Sequence, residues 1–207
     1  MLQDLFSHLN PDDRAESLFV LLIKTRNDNS VVISKMEELF PIEIRSGLLD
    51  IIVPPSDFYP DYQDFEGSFE IPKSLKVKHA EKNLNMVFLM MYARAKAAFY
   101  VQLDLELPFI VPEFSSKIRK FVFNKVSLSD TWIELSFTTD GCVGKLYRTE
   151  DLDRLIPFIL SSYSVKPCDW ILFGFIQTIV CHPERSNCTD EVKKHRRQYR
   201  PVLFKRP

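Results

Sequence analysis

Asp104 and Glu106 are two carboxylates one residue apart, and they follow the apolar run at residues 99–103. In an open α/β sheet, ligands collect beyond the carboxyl ends of the strands. Two hard oxygen donors at such a place suit Mn²⁺ or Mg²⁺, which in turn would neutralise a diphosphate. The same pair also reads as two solvated acids at a strand end, because a short D-x-E carries little information by itself. A second group is Cys181-His182, Cys188 and His195. Thiolate and imidazole at these spacings match no standard zinc finger, so a local disulfide between Cys181 and Cys188 is the better reading, given an oxidising compartment. Asn187-Cys188-Thr189 is a glycosylation acceptor pattern at Asn187 and points to the same compartment. Cys142 and Cys168 read as buried small apolar side chains, with a second bridge as the alternative. The basic run from Lys193 to Arg197, with Arg200, Lys205 and Arg206, reads as a phosphate-binding segment, a nuclear signal or a solvated strand edge.

Composition narrows the field. Lys+Arg 27 against Asp+Glu 28 leaves a net charge of -1 over 207 residues, so the electrostatic footprint of a duplex-binding protein is missing. There are five Gly, and neither a Walker loop nor a G-x-G-x-x-G turn is present. No run approaches the roughly 18 to 20 apolar residues of a membrane span. The opening Met1-Leu2-Gln3-Asp4-Leu5-Phe6 is not a cationic segment followed by an apolar one, so no leader is expected in the sequence as it stands. With 45% hydrophobic residues the chain has apolar material for one sizeable core.

The elements that must position these groups follow from periodicity. Residues 18–23 and 48–53 are short continuous apolar runs and read as strands buried on both faces. Residues 99–103 and 132–137 read as further strands. Helical spacing is clearest over 76–96, through Val77, Leu84, Val87, Phe88, Met91 and Ala95. Residues 31–40, a segment starting at Pro112, 149–163 and 168–180 also read as helices. Residues 54–74, rich in Pro, Asp, Glu, Tyr and Phe, read as a long surface loop. Strands alternating with helices imply an α/β architecture around a largely parallel sheet.

Several stretches resemble the N-acetylglucosaminyltransferase IV family (alpha-1,3-mannosyl-glycoprotein 4-beta-N-acetylglucosaminyltransferases). They are Glu43-Ile44-Arg45-Ser46-Gly47-Leu48, Pro54-Pro55, Tyr59-Pro60-Asp61, Asn83-Leu84, Phe88-Leu89-Met90-Met91-Tyr92-Ala93 and Gln102-Leu103. Gly144-Lys145, Pro167 with Asp169-Trp170, Cys181 with Pro183-Glu184, Cys188, Arg200-Pro201 and Leu203-Phe204 continue the likeness in collinear order. The resemblance implies a GT-A-like glycosyltransferase fold, a UDP-N-acetylglucosamine (UDP-GlcNAc) donor, a divalent cation, and an N-glycan mannose acceptor in the Golgi lumen. Family members also carry a membrane anchor and stem, a first nucleotide-binding strand region and a carbohydrate-binding module. The expectation is therefore a single partial GT-A-like domain over 1–207, without that first strand region.

Residue by residue, the resemblance places the metal site at Asp104 and Glu106, where the family's Glu-Asp-Asp reads Asp104-Leu105-Glu106. It offers Asn83 and Lys145 as contacts to the nucleotide sugar. Where the family reads Asp-Trp-Leu-Leu-Asp, this chain has Asp169-Trp170-Ile171-Leu172-Phe173, so the family's base position holds a side chain that accepts no proton. Asp169 is the substitute base candidate. The family's Leu-Glu-Phe-Ser reads Leu135-Ser136-Phe137-Thr138, which removes a further acid. The implied function is transfer of N-acetylglucosamine to an N-glycan mannose, with this chain weakly active or inactive. The alternative is a catalytically degenerate member that acts by binding, for instance as a regulatory partner of another glycosyltransferase.

Overall fold

The computed structural model describes residues 2–24, 29–68, 71–104, 109–127, 131–139, 141–181, 188–199 and 203–205. In chain order the elements are α1 (Leu2–Ser7), α2 (Pro11–Glu16), β1 (Phe19–Leu22), α3 (Ser30–Leu39), α4 (Pro41–Arg45), β2 (Leu49–Ile52), α5 (Lys73–Ala93), β3 (Phe99–Val101), β4 (Phe109–Ile110), α6 (Phe114–Ser127), β5 (Glu134–Ser136), β6 (Lys145–Arg148), α7 (Leu152–Leu160), α8 (Cys168–Val180), α9 (Cys188–His195), β7 (Arg196–Gln198) and β8 (Phe204–Lys205). The architecture is α/β, with helices packed on small sheets.

The strands are not assembled into one largely parallel sheet. β1 and β2 form a parallel pair in the register Phe19↔Leu49 to Leu22↔Ile52. A four-stranded sheet in the order β3-β6-β5-β7 is mixed, with β3–β6 and β5–β6 antiparallel and β5–β7 parallel. β4 and β8 make a third, antiparallel pair. The expectation of a mostly parallel sheet fails because only eight residues, 137–144, join β5 to β6, too few for the crossover that parallel pairing needs. Gly141 and Gly144, at φ 64° and 67°, supply the left-handed backbone that this short turn requires. β1 is half-buried along its length rather than enclosed on both faces, since it stands at the edge of a two-stranded sheet.

α5 is the longest helix because 21 residues pass without Gly or Pro. It buries Ala80, Asn83, Leu84, Val87 and Met90 against α7 and α8, at the recurrence a helical stripe demands. α8 starts directly after Pro167 and buries Cys168, Ile171, Leu172, Phe175 and Ile176 in the same core. A second core, around Trp132, Leu135, Phe137 and Leu146, joins the four-stranded sheet to α1 and α6. α2 is fastened to α6 by a polar knot: Ser116 donates to Asp13 at 2.7 Å, and Arg119 pairs with the same buried carboxylate at 3.0 Å. Residues 54–68 are a surface segment as expected, but pinned to α5 by the Tyr59 hydroxyl on Asn85 (2.5 Å) and by edge-on packing of Phe58 against Phe88.

Two disulfides, one between two helices and one between a helix and a strand connection, cross-link the fold. Cys181–Cys188, the pairing preferred from sequence, has a Cα separation of 5.2 Å and joins the end of α8 to the start of α9. Cys142 and Cys168 are buried, as expected, but they are also bridged, with Cα atoms 5.9 Å apart. The reading as unpaired apolar cysteines is thereby corrected: the β5–β6 turn and the first residue of α8 converge although 26 positions separate them.

Candidate functional site

Asp104 follows β3 and borders a cavity of about 350 Å³. Its walls are β1, the run from Phe99 to Leu103, and the α5 face bearing Asn85, Met86, Leu89 and Ala93. Lys82 and Lys96 add positive charge to the lining. The Lys96 ammonium stands 3.8 Å from the Asp50 carboxylate and 5.1 Å from the centre of the Tyr92 ring. Gln102 is held in place by donating to the Leu103 carbonyl at 2.8 Å and by accepting from the Tyr100 hydroxyl. An apolar floor with a carboxylate and two ammonium groups in its lining suits a ligand with an apolar or aromatic body and an anionic portion.

Glu106 lies outside the described residues, as do Asn187 and His182. Among the described residues no three His, Cys, Asp or Glu side chains gather into a metal cluster. Among the described residues Asp104 is the one carboxylate in the cavity lining. One or two carboxylates are nevertheless what a Mg²⁺-type ion usually takes from protein when phosphates and water fill its other positions.

The other sequence candidates stand elsewhere. Asn83 is fully buried and donates from Nδ2 to the carbonyls of Tyr163 (2.7 Å) and Lys166 (2.9 Å), which fastens α5 to the α7–α8 connection. Lys145 is buried on β6 and donates to Ser136 Oγ at 2.5 Å. Neither side chain lines the cavity. Asp169 and Phe173 share the outer face of α8, one turn apart, and are also absent from the cavity wall. Trp170, 68% exposed, stands beside them.

Sequence reasoning missed a charged network beneath that face. Glu134 is wholly buried on β5, accepting from the Tyr147 hydroxyl at 2.6 Å and from Arg196 Nε at 2.9 Å. Burial foremost, and then the Glu134 charge, drive the Tyr147 phenol well above its usual value. Nothing in the local sequence marks this group, because its members come from three strands separated by up to 62 positions. Near the cavity, burial and the Glu81 charge raise Tyr59 and push Tyr62 up to about 12.

Fold and site together define an α/β protein stapled by disulfides, with an acidic strand end over an apolar cavity and an aromatic helix face on another side. The MGAT4 conserved region matches residues 1–206, and the chain belongs to that family. It is 35% identical to the alpha-1,3-mannosyl-glycoprotein 4-beta-N-acetylglucosaminyltransferase B of Homo sapiens, over 98% of this chain and 37% of that protein. It is 31% identical to the corresponding transferase A of Gallus gallus, over 98% of this chain and 38% of that protein. The chain thus spans under two-fifths of the length of these relatives. No solved structure matches it. Among the described residues no helix is long and apolar enough to cross a membrane.

Proposed function

We propose that the chain is a single, partial GT-A-like domain that binds UDP-GlcNAc and carries out at most weak transfer of N-acetylglucosamine to an N-glycan mannose. The observation that carries the reading is the division between the two sites: the Asp104 cavity keeps groups suited to a nucleotide diphosphate, while position 173 on α8 is a phenylalanine. Asp104 with Glu106 would hold a divalent cation, and that ion would offset the diphosphate charge. Lys82 and Lys96 add electrostatic attraction, and the α5 face seats the apolar part of the donor. Asp169, the substitute base candidate, is an exposed carboxylate one turn before position 173 and lies off the cavity wall, which fits transfer that is weak at most. The two disulfides favour an oxidising lumen such as the Golgi.

Calorimetric titration with UDP and Mn²⁺ tests the donor reading without presuming an acceptor. Binding that is lost in Asp104→Asn supports it, and no heat from the unaltered chain overturns it. A second reading, a non-catalytic partner of another glycosyltransferase, is favoured by Phe173. It predicts UDP binding or none, together with no transfer to a biantennary glycan by either the chain or Phe173→Asp.

A further inference from the structure

Helix α3 is held to the molecule by one side only. None of its residues is buried, and its anchors are half-buried Ile33, Met36 packed on the second core, and buried Phe40 just past its end. Val31, Lys35 and Glu38 recur at i, i+4 and i+7 on the opposite face, all exposed. Ile42, in the first turn of α4, extends that line. Val31 and Ile42 are 66% and 67% exposed, and Val32 and Leu39 stand open on one flank of the same face. Among the described residues neither Lys35 nor Glu38 takes part in an ion pair or a hydrogen bond. Four large apolar side chains gathered around two unpaired opposite charges mark a contact face rather than a solvated one.

We propose that this face pairs with the same face of a second copy of the chain, as an antiparallel helix pair about a two-fold axis. The order of the residues selects that occupant. In an isologous contact residue i meets j while j meets i, so every complementary pair must straddle one common point. Lys35 and Glu38 straddle the point between Met36 and Glu37, and so do Val31 and Ile42. Pairing about that point sets Lys35 against the partner's Glu38 and Val31 against the partner's Ile42, each contact occurring twice. A partner of another sequence would not require the two pairs to share a centre. The face is about three turns long, at the small end of interface size and below about 1,200 Å², so the dimer is weak and forms with rising concentration. None of these residues lines the Asp104 cavity, and the inference does not depend on donor binding.

Sedimentation equilibrium of the intact chain, with no nucleotide present, reads the association. The weight-average mass is expected to climb from that of one chain towards that of two as the concentration rises into the hundreds of micromolar. Lys35→Glu sets like charges against each other at both copies of the contact and is expected to weaken association by about tenfold or more, as is Glu38→Lys. An equimolar mixture of the two variants associates again, and so does the chain carrying both changes, because each restores opposite charges across the pair. Recovery by the mixture also shows that the single variants are folded. A chain that stays monomeric throughout overturns the proposal and leaves the face to other polypeptide. Association that the single reversals leave unchanged overturns it as well, since the contact then lies elsewhere. A loss that neither the mixture nor the doubly changed chain recovers does the same, because the face is then not paired with itself.

Discussion

The guanidinium of Arg196 stands 5.9 Å from the centre of the Phe173 ring while its Nε donates to buried Glu134. The cation that pairs with an interior carboxylate thus also faces position 173 on α8, the base position in the reading proposed above. A carboxylate at 173 would meet a positive charge already fixed in place, so its ionised form is favoured.

Phe173→Asp is therefore expected to fold and to carry an aspartate that titrates below the usual ~3.9. Phe173 is 38% exposed, so the change removes a cation–π contact worth about 0.5–1 kcal/mol together with the burial of the larger part of the ring, about 1–2 kcal/mol more. NMR titration of the new carboxyl checks the direction. In a transfer assay with Mn²⁺, restoring general-base chemistry is expected to raise turnover by about 10²-fold or more. An unchanged rate alongside intact UDP binding would mean that proton removal is not what limits this chain.

Asn83→Ala is expected to lower stability by about 1–3 kcal/mol, because the carbonyls of Tyr163 and Lys166 lose the buried donor they share. The urea midpoint should fall while the affinity of the folded protein for UDP stays the same. The opposite pattern, weaker UDP binding at an unchanged midpoint, would assign Asn83 to the ligand.

The chain should lose stability steeply above pH 10. Burial raises the phenols of Tyr100 and Tyr147 far above that value. In the unfolded chain these phenols ionise near 10, whereas in the folded protein they keep their protons. Above pH 10 the unfolded state binds fewer protons, so stability falls as pH rises, by about 1.4 kcal/mol per pH unit for each such tyrosine. Below pH 10 neither contributes. Tyr100→Phe should flatten the dependence by one tyrosine's share, as read from urea unfolding between pH 10 and 11.5.

Removing the two bridges should have unequal effects. The Cys142–Cys168 link closes a span of 26 residues and Cys181–Cys188 a span of 7. On the chain-entropy model the double alanine variants lose about 3.5 and about 2.4 kcal/mol respectively. The longer bridge loses more again, because both of its sulfurs lie in the core and their removal leaves a void. Denaturant midpoints of the two variants check the order.

Elements whose signal is local were legible in the sequence. Helix α8 occupies Cys168–Val180 as read, since Pro167 sets its start and its apolar residues recur at helical spacing. α5 was shifted by three residues at each end, a displacement expected where Pro72 rather than an apolar residue marks the start. The Cys181–Cys188 bridge was legible because a short span forces proximity. Asp104 was legible as a strand-end acid, because its place after an apolar run depends only on local sequence. What the tertiary structure decided was every partnership across long separations. Sheet order is set by which edges hydrogen bond, and β3 pairs with β6, 45 or more positions away, rather than with β1, a choice that apolar runs alone do not encode. Burial of Asn83 and Lys145, the Cys142–Cys168 bridge and the Glu134–Tyr147–Arg196 network depend likewise on packing between distant elements. Periodicity reports which face of an element is apolar, and only assembly determines what that face meets.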